Sequence, residues 1–260
     1  MFILKMILGN LIFIFGFIAY VVYGYIVIIR MRIKRKKYGV KKMLEYAAPR
    51  IKNFSIRAFK WTFVDVEVEG MENIPKDSNF LIIANHQSLL DIPLLLAYID
   101  PTLAFIAKKE VSKIPMIGSF VKEMGGVLLD RSDIKKAVAA LMEVMKGLRE
   151  GRSFVLFPEG TRSADGNLRE FRKGSLKIAL RTKVKILPVV IDGTINVTPK
   201  GSIFIRPNKV KLKILEPLDP SKFENEESLR GFLEKSFKDQ LLLMRGGVYN
   251  EKSKNKSASC

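Results

Sequence analysis

The sequence predicts an α/β fold: a mixed, mostly parallel-type sheet flanked by helices, with an N-terminal hydrophobic membrane-anchoring helical segment. Three observations predict it. Short apolar runs at 79–84, 154–157 and 185–191 read as strands buried on both faces, as parallel sheets require. Longer amphipathic stretches alternate with those runs, which is the pattern of helices packed on a sheet. Residues 6–29 contain no charged side chain, and as a helix they would measure about 36 Å against a hydrocarbon core of roughly 30 Å.

Taken in order, the apolar stretch is followed by Arg30, Arg32, Lys34, Arg35, Lys36 and Lys37, with Lys41 and Lys42 just beyond. By the positive-inside rule this flank is cytoplasmic, and each cation contributes about 1 kcal/mol at an anionic leaflet. Residues 43–63 interleave Met43, Leu44, Ala47, Ile51, Phe54, Phe59 and Trp61 with Arg50, Lys52, Arg57 and Lys60. That suits an interfacial amphipathic helix or an ordinary helix packed on the domain. Gly9, Gly16 and Gly24, with Lys5, also allow the first segment to bend and pair with the second inside one leaflet. The division that follows is a membrane anchor at 1–62, an α/β domain at 63–245 and a disordered tail at 246–260.

Within the domain, 62–69 alternates as a strand with one exposed face, and 79–84 is a buried strand followed by a helix at 89–99. A strand at 103–107, a helix at 111–124 and a short strand at 127–129 come next. Ser132 is placed to cap a long amphipathic helix reaching Gly151. After the strand at 154–157, residues 173–181 read as a helix and 185–191 as a strand. Residues 203–205 and 210–215 look like an antiparallel addition, and 228–244 a closing helix.

Composition narrows the function classes. The formal net charge is +19, which calls for an acidic partner or surface. Cys260 is the single cysteine, so no disulfide or cysteine metal site can form within one chain. One histidine without a cluster of carboxylates argues against a metal hydrolase, and no cofactor motif is found. A membrane-tethered nucleic-acid-binding protein would explain the charge, but the aromatic base-stacking strand of RNA-binding modules is missing. No nucleic-acid partner is expected.

His86 is the only histidine and hence the first candidate for proton transfer near neutral pH. It stands in Asn85-His86-Gln87-Ser88-Leu89-Leu90-Asp91, at the end of a buried strand. In a continuous helix His86 and Asp91 would point about 140° apart. A turn before the helix lets the carboxylate reach one ring nitrogen and leaves the other for a substrate. A second motif, Phe157-Pro158-Glu159-Gly160-Thr161-Arg162-Ser163, follows another buried strand, where open α/β folds place ligand loops. Arg162 offers a planar fork suited to phosphate oxygens. Lys108, Lys109 and Arg131, also at strand ends, complete a candidate anion pocket.

These blocks resemble the 1-acyl-glycerol-3-phosphate acyltransferase family of glycerolipid synthesis. His86 and Asp91 match a His, four residues and an Asp; Gly125 to Arg131 match a double glycine ending in Asp-Arg. Phe157 to Ser163 match the third block without a departure, and Ile186 to Val190 an apolar run around a proline. The resemblance implies acyl transfer from acyl-ACP or acyl-CoA to the sn-2 hydroxyl of lysophosphatidic acid, giving phosphatidic acid; the basic flank of the apolar segment sets this at the cytoplasmic face of the cell membrane. It makes His86 the general base, Asp91 its orienting carboxylate, and Lys108, Arg131 and Arg162 the phosphate clamp. Glu159, Gly160 and Thr161 would shape the floor of that site. No Gly-x-Ser-x-Gly elbow supplies a nucleophilic serine, so an acyl-enzyme is not expected. Acylation of glycerol-3-phosphate at sn-1, or of another lysophospholipid, is the nearest alternative. Residues 94–105 and 115–120 are candidates to line an acyl tunnel, with core packing the stronger reading.

Overall fold

A computed structural model of the chain describes residues 2–114, 117–130, 132–199 and 204–247, the side chains of 2, 12–18, 20 and 21 excepted. Seven strands form one sheet in the order β1-β7-β6-β2-β5-β3-β4. They are β1 (Asp65–Glu69), β2 (Leu81–Ala84), β3 (Ala104–Lys108), β4 (Val127–Leu129), β5 (Phe154–Leu156), β6 (Ile186–Asp192) and β7 (Lys209–Ile214). Neighbours run parallel except β6 and β7. The helices are α1 (Phe2–Trp61), α2 (Asp91–Tyr98), α3 (Ile117–Glu123), α4 (Ile134–Arg149), α5 (Lys177–Thr182), α6 (Thr194–Val197) and α7 (Glu226–Met244).

The sheet is the middle of three layers because its central strands are apolar on both faces. Ile82, Ala84, Leu187, Val189 and Ile191 meet Leu94, Leu95 and Leu96 of α2 and Met43, Ala47, Ile51 and Phe59 of α1. Their alternates Leu81, Ile83, Ile186 and Val190 meet α4, α5 and the Leu229, Leu233, Phe237 and Leu241 stripe of α7. The second half of α1 is thus a covering helix of the domain. Leu94, Leu95, Leu96, Leu103 and Phe105 are spent in this core as well.

Helix α1 is broken at Gly39, whose φ of 81° and ψ of 177° suit glycine and interrupt the ladder. The first half returns along the second: a Cβ at Gly9 would lie 3.6 Å from the Phe63 ring. Asn10 fixes this arrangement, its amide donating to the Ile205 carbonyl at 2.7 Å and accepting from the Ile205 N–H at 2.9 Å. Ile3, Leu4, Ile7, Leu8, Leu11, Val22, Ile29 and Ile33 remain exposed along that half. Arg32 and Arg35 pair with the buried carboxylate of Glu123 on α3 at 2.7 and 3.6 Å. Among the described residues no helix is long and apolar enough to cross a membrane.

Several local expectations are corrected. The helix expected at 111–124 is a 3-10 turn at Lys109–Lys113 followed by α3, because Pro115 lacks the N–H to continue a helix and restricts Ile114. Asp133, not Ser132, caps α4, accepting from Lys136 N at 3.1 Å; the Ser132 hydroxyl is engaged by Asp130. Helix α5 starts at Lys177 rather than 173, since Gly174 takes a φ of 88°. Phe204 and Ile205 are not in a strand, and residue 203 lies outside the described residues. The antiparallel pairing expected for 210–215 is present between β7 and β6, while the parallel pairing of β1 on β7 was not foreseen. Tail residues 248–260 also lie outside the described residues.

Candidate active site

Strands β2 and β5 lie side by side, with Ile83 opposite Leu156, yet their continuations leave on opposite faces. Helix α2 follows β2 onto one layer and α5 follows β5 onto the other. Open α/β sheets form their ligand crevice at the carboxyl ends of such a strand pair. Continuing the register places His86 beside Glu159, and a hydrogen bond joins the two: His86 N–H donates to Glu159 Oε1 at 2.7 Å.

Asp91 opens α2 and is fully buried. Its Oδ2 accepts from the Gln87 and Ser88 amides at 2.7 and 2.9 Å and lies 2.7 Å from His86 Nδ1. Its Oδ1 accepts from the Thr194 hydroxyl at 2.5 Å. An ionised carboxylate only accepts, so the shared proton sits on Nδ1 and the lone pair of the imidazole is on Nε2. The ring stacks on Phe157 with centroids 4.1 Å apart and planes 17° from parallel. The side chain is 15% exposed and is held on one nitrogen and one face, which fixes the orientation of the ring.

Glu159 braces the second motif. Its Oε2 accepts from the Arg169 N–H at 2.9 Å while Oε1 holds His86. Burial pushes its carboxyl up to about 7, against the lowering effect of the His86 and Arg169 amides. The Ser163 N–H returns to the His86 carbonyl at 2.8 Å, so the two motif loops are stitched in both directions.

An acyltransferase family model matches residues 65–192. The 1-acyl-sn-glycerol-3-phosphate acyltransferase of Borreliella burgdorferi is 38% identical over 167 residues, 63% of this chain and 66% of that protein. The chloroplastic 1-acyl-sn-glycerol-3-phosphate acyltransferase of Arabidopsis thaliana is 38% identical over 164 residues, 62% of this chain and 46% of that one. The chain therefore spans about two thirds of the first relative and about half of the second. The crystal structure of the 1-acyl-sn-glycerophosphate (LPA) acyltransferase from Thermotoga maritima is 43% identical, with a TM-score of 0.83 covering 96% of this chain and 100% of that one.

The chain belongs to the 1-acyl-sn-glycerol-3-phosphate acyltransferase family.

In this acyltransferase two of the expected cations, Lys108 and Arg162, stand at or just beyond the carboxyl ends of β3 and β5. Lys108 ends β3 and is exposed; continuing the pairing of Phe105 with Val155 puts it level with Pro158. At about 4.8 Å per strand, the end of β3 lies roughly 10 Å from that of β2. Arg162 is half-buried on the turn after β5. Among the described residues the side chains of Lys108 and Arg162 have no hydrogen-bond or ion-pair partner. Lys109, by contrast, is spent on Asp130 at 3.0 Å, and the Ser132 hydroxyl with Lys109 holds the Asp130 carboxyl down at about 2. Arg131 lies outside the described residues. Gly160 is buried and its N–H donates to the Phe157 carbonyl at 3.0 Å, while Thr161 is half-buried beside it.

Sequence reasoning missed the residues that support the dyad. Asn85 makes paired bonds to the Ile191 carbonyl and N–H, each 2.8 Å. Gln87 donates to Gly166 O and to Asp192 Oδ1, and Arg245 at the end of α7 binds Asp192 and Gly166 in turn. All but Arg245 flank carboxyl ends of central strands, which is the signal that marks them.

Proposed function

We propose that the protein transfers an acyl chain from a thioester, acyl-ACP or acyl-CoA, to the sn-2 hydroxyl of lysophosphatidic acid, giving phosphatidic acid. The observation that carries this reading is the His86–Asp91 pair at the strand-end crevice, with Nε2 turned to be the base. His86 Nε2 takes the acceptor's hydroxyl proton as the oxygen bonds to the thioester carbon; the C–S bond then breaks and the departing thiolate takes that proton back. Asp91 stabilises the imidazolium formed in between. Base catalysis of this kind supplies about 10² to 10⁴ in rate. The rest comes from placing the hydroxyl against the thioester, for which Arg162, Lys108 and Arg131 hold the phosphate, over a floor shaped by Glu159, Gly160 and Thr161.

The oxyanion that forms on the thioester carbonyl needs donors. The amides of His86, Gln87 and Ser88 are engaged by Glu159 and Asp91, and that of Gly160 by Phe157. The backbone N–H groups of Thr161 and Arg162, which have no partner among the described residues, are the donors left on that turn.

The exposed apolar side chains of the first half of α1, beside the Arg30 to Lys37 cluster, support seating on an anionic cytoplasmic leaflet. Folded back at Gly39 and tied by Asn10, this half would enter a single leaflet. The test is thiol release and phosphatidic acid formation by the purified full chain, with lysophosphatidic acid, glycerol-3-phosphate and a second lysophospholipid as acceptors and both thioesters as donors. Turnover with lysophosphatidic acid and loss of it in His86→Ala support the reading. Near wild-type activity in His86→Ala, or preference for another acceptor, overturns it.

A further inference from the structure

We propose that Thr194 is a positioning residue of this site, holding the carboxylate of Asp91 in the orientation that fixes the His86 ring. The inference rests on the dyad reading given above. Three donors converge on Asp91 Oδ2, but among the described residues the Thr194 hydroxyl is the only one on Oδ1. A carboxylate turns about a soft, two-fold terminal torsion, so donors on both oxygens are needed to define its plane. Oδ1 lies in a fully buried side chain, where an unpaired acceptor is costly and invites rearrangement.

Thr194 is itself buried to 0% exposure and carries a single hydroxyl proton. Its other neighbour, Gln87 Oε1, is 3.5 Å away, against 2.5 Å for Asp91 Oδ1, so the proton goes to the carboxylate. The segment bearing it is tied to the dyad loop at several points. Asn85 grips Ile191, Gln87 reaches Asp192, and the Ser88 hydroxyl donates to the Thr198 carbonyl at 3.2 Å. Thr194 therefore stands as a fixed post to which Asp91 is bound, one strand away from the base it orients.

Thr194→Val keeps the branched shape and removes the donor, and Thr194→Ser restores it. The variants are compared in the full chain with lysophosphatidic acid and acyl-CoA, alone and in an Asp91→Ala background, with Tm recorded for each. The expected result is a kcat lower by roughly tenfold or more in Thr194→Val, KM values within about twofold for both substrates, and most of the activity retained in Thr194→Ser. In the Asp91→Ala background, Thr194→Val should cost less than about twofold further, because the partner is gone. The proposal is overturned if Thr194→Val stays within about twofold of wild type, if Ser and Val lose alike, or if Val costs the same factor without Asp91. If Thr194→Val does not fold, Thr194→Ala is judged by the same criteria. An active Asp91→Ala enzyme would sink the dyad reading itself, whereas an inactive one beside an unaffected Thr194→Val overturns Thr194 alone.

Discussion

The loop that follows β2 and the cations that follow β3 and β5 are built on opposite plans. At the His86 end the groups that support the ring are held in place: Asp91 accepts four hydrogen bonds, and the amides of His86, Gln87 and Ser88 are all engaged. At the Lys108 and Arg162 end the cations are exposed or half-buried and have no partners among the described residues. On the proposed reaction the difference matches two kinds of work. Proton transfer needs a base held to within a fraction of an ångström, while capture of a phosphate needs charge that can adapt to it. Glu159 stands between them, fixing His86 with one oxygen and the Arg169 loop with the other.

If that contrast is right, substitutions at the rigid end act on kcat and those at the open end on KM. His86→Ala should lower kcat by about 10² to 10⁴ and leave Tm near that of wild type, as steady-state kinetics and thermal unfolding would show. Asp91→Ala should lose comparable activity and also about 2–3 kcal/mol of stability, read by urea unfolding, because the Gln87 and Ser88 amides and the Thr194 hydroxyl are left unpaired in the core. Equal stabilities of the two variants would break the contrast. Arg162→Ala should raise the KM for the phosphate-bearing acceptor about tenfold with kcat kept within a few-fold; a loss confined to kcat would place Arg162 at the reacting atoms instead.

The remaining effect is one of pH on stability, read against Glu159→Gln. Its carboxyl is raised in the folded protein from an ordinary 4.5 to about 7, so the folded state holds the proton more tightly than the unfolded chain. That contribution to stability is complete below about 4.5 and is lost as pH rises through about 7. Wild type should therefore lose up to roughly 3 kcal/mol relative to Glu159→Gln across this window. Urea unfolding of both proteins from pH 4.5 to 8 measures it, and a constant difference would mean that Glu159 is ionised throughout.

Much of the molecule was legible in the sequence, for reasons that differ by region. The apolar runs of β2, β5 and β6 are buried on both faces and betray themselves by composition alone, and the motif loops at their ends carried His86, Asp91 and the Glu159 turn. What was hidden depends on long-range contact. Thr194 and Gln87 look like ordinary polar residues until β6 is laid beside β2, and Arg245 reaches the site from the far end of α7. The helix boundary at 111–124 failed on one proline, and the cap of α4 on a competition between Ser132 and Asp133 that only the loop geometry resolves. The role of 43–63 was undecided between membrane and domain because an amphipathic face serves either; Met43, Ala47, Ile51 and Phe59 face the sheet.

The central claim is that His86 activates the acceptor's own hydroxyl, with no acyl-enzyme in between. It is tested most directly by following thiol release from acyl-CoA at high enzyme concentration, with and without lysophosphatidic acid. The account predicts no release without the acceptor, one phosphatidic acid per thiol with it, and neither in His86→Ala. A burst of one thiol per enzyme in the absence of lysophosphatidic acid would contradict it.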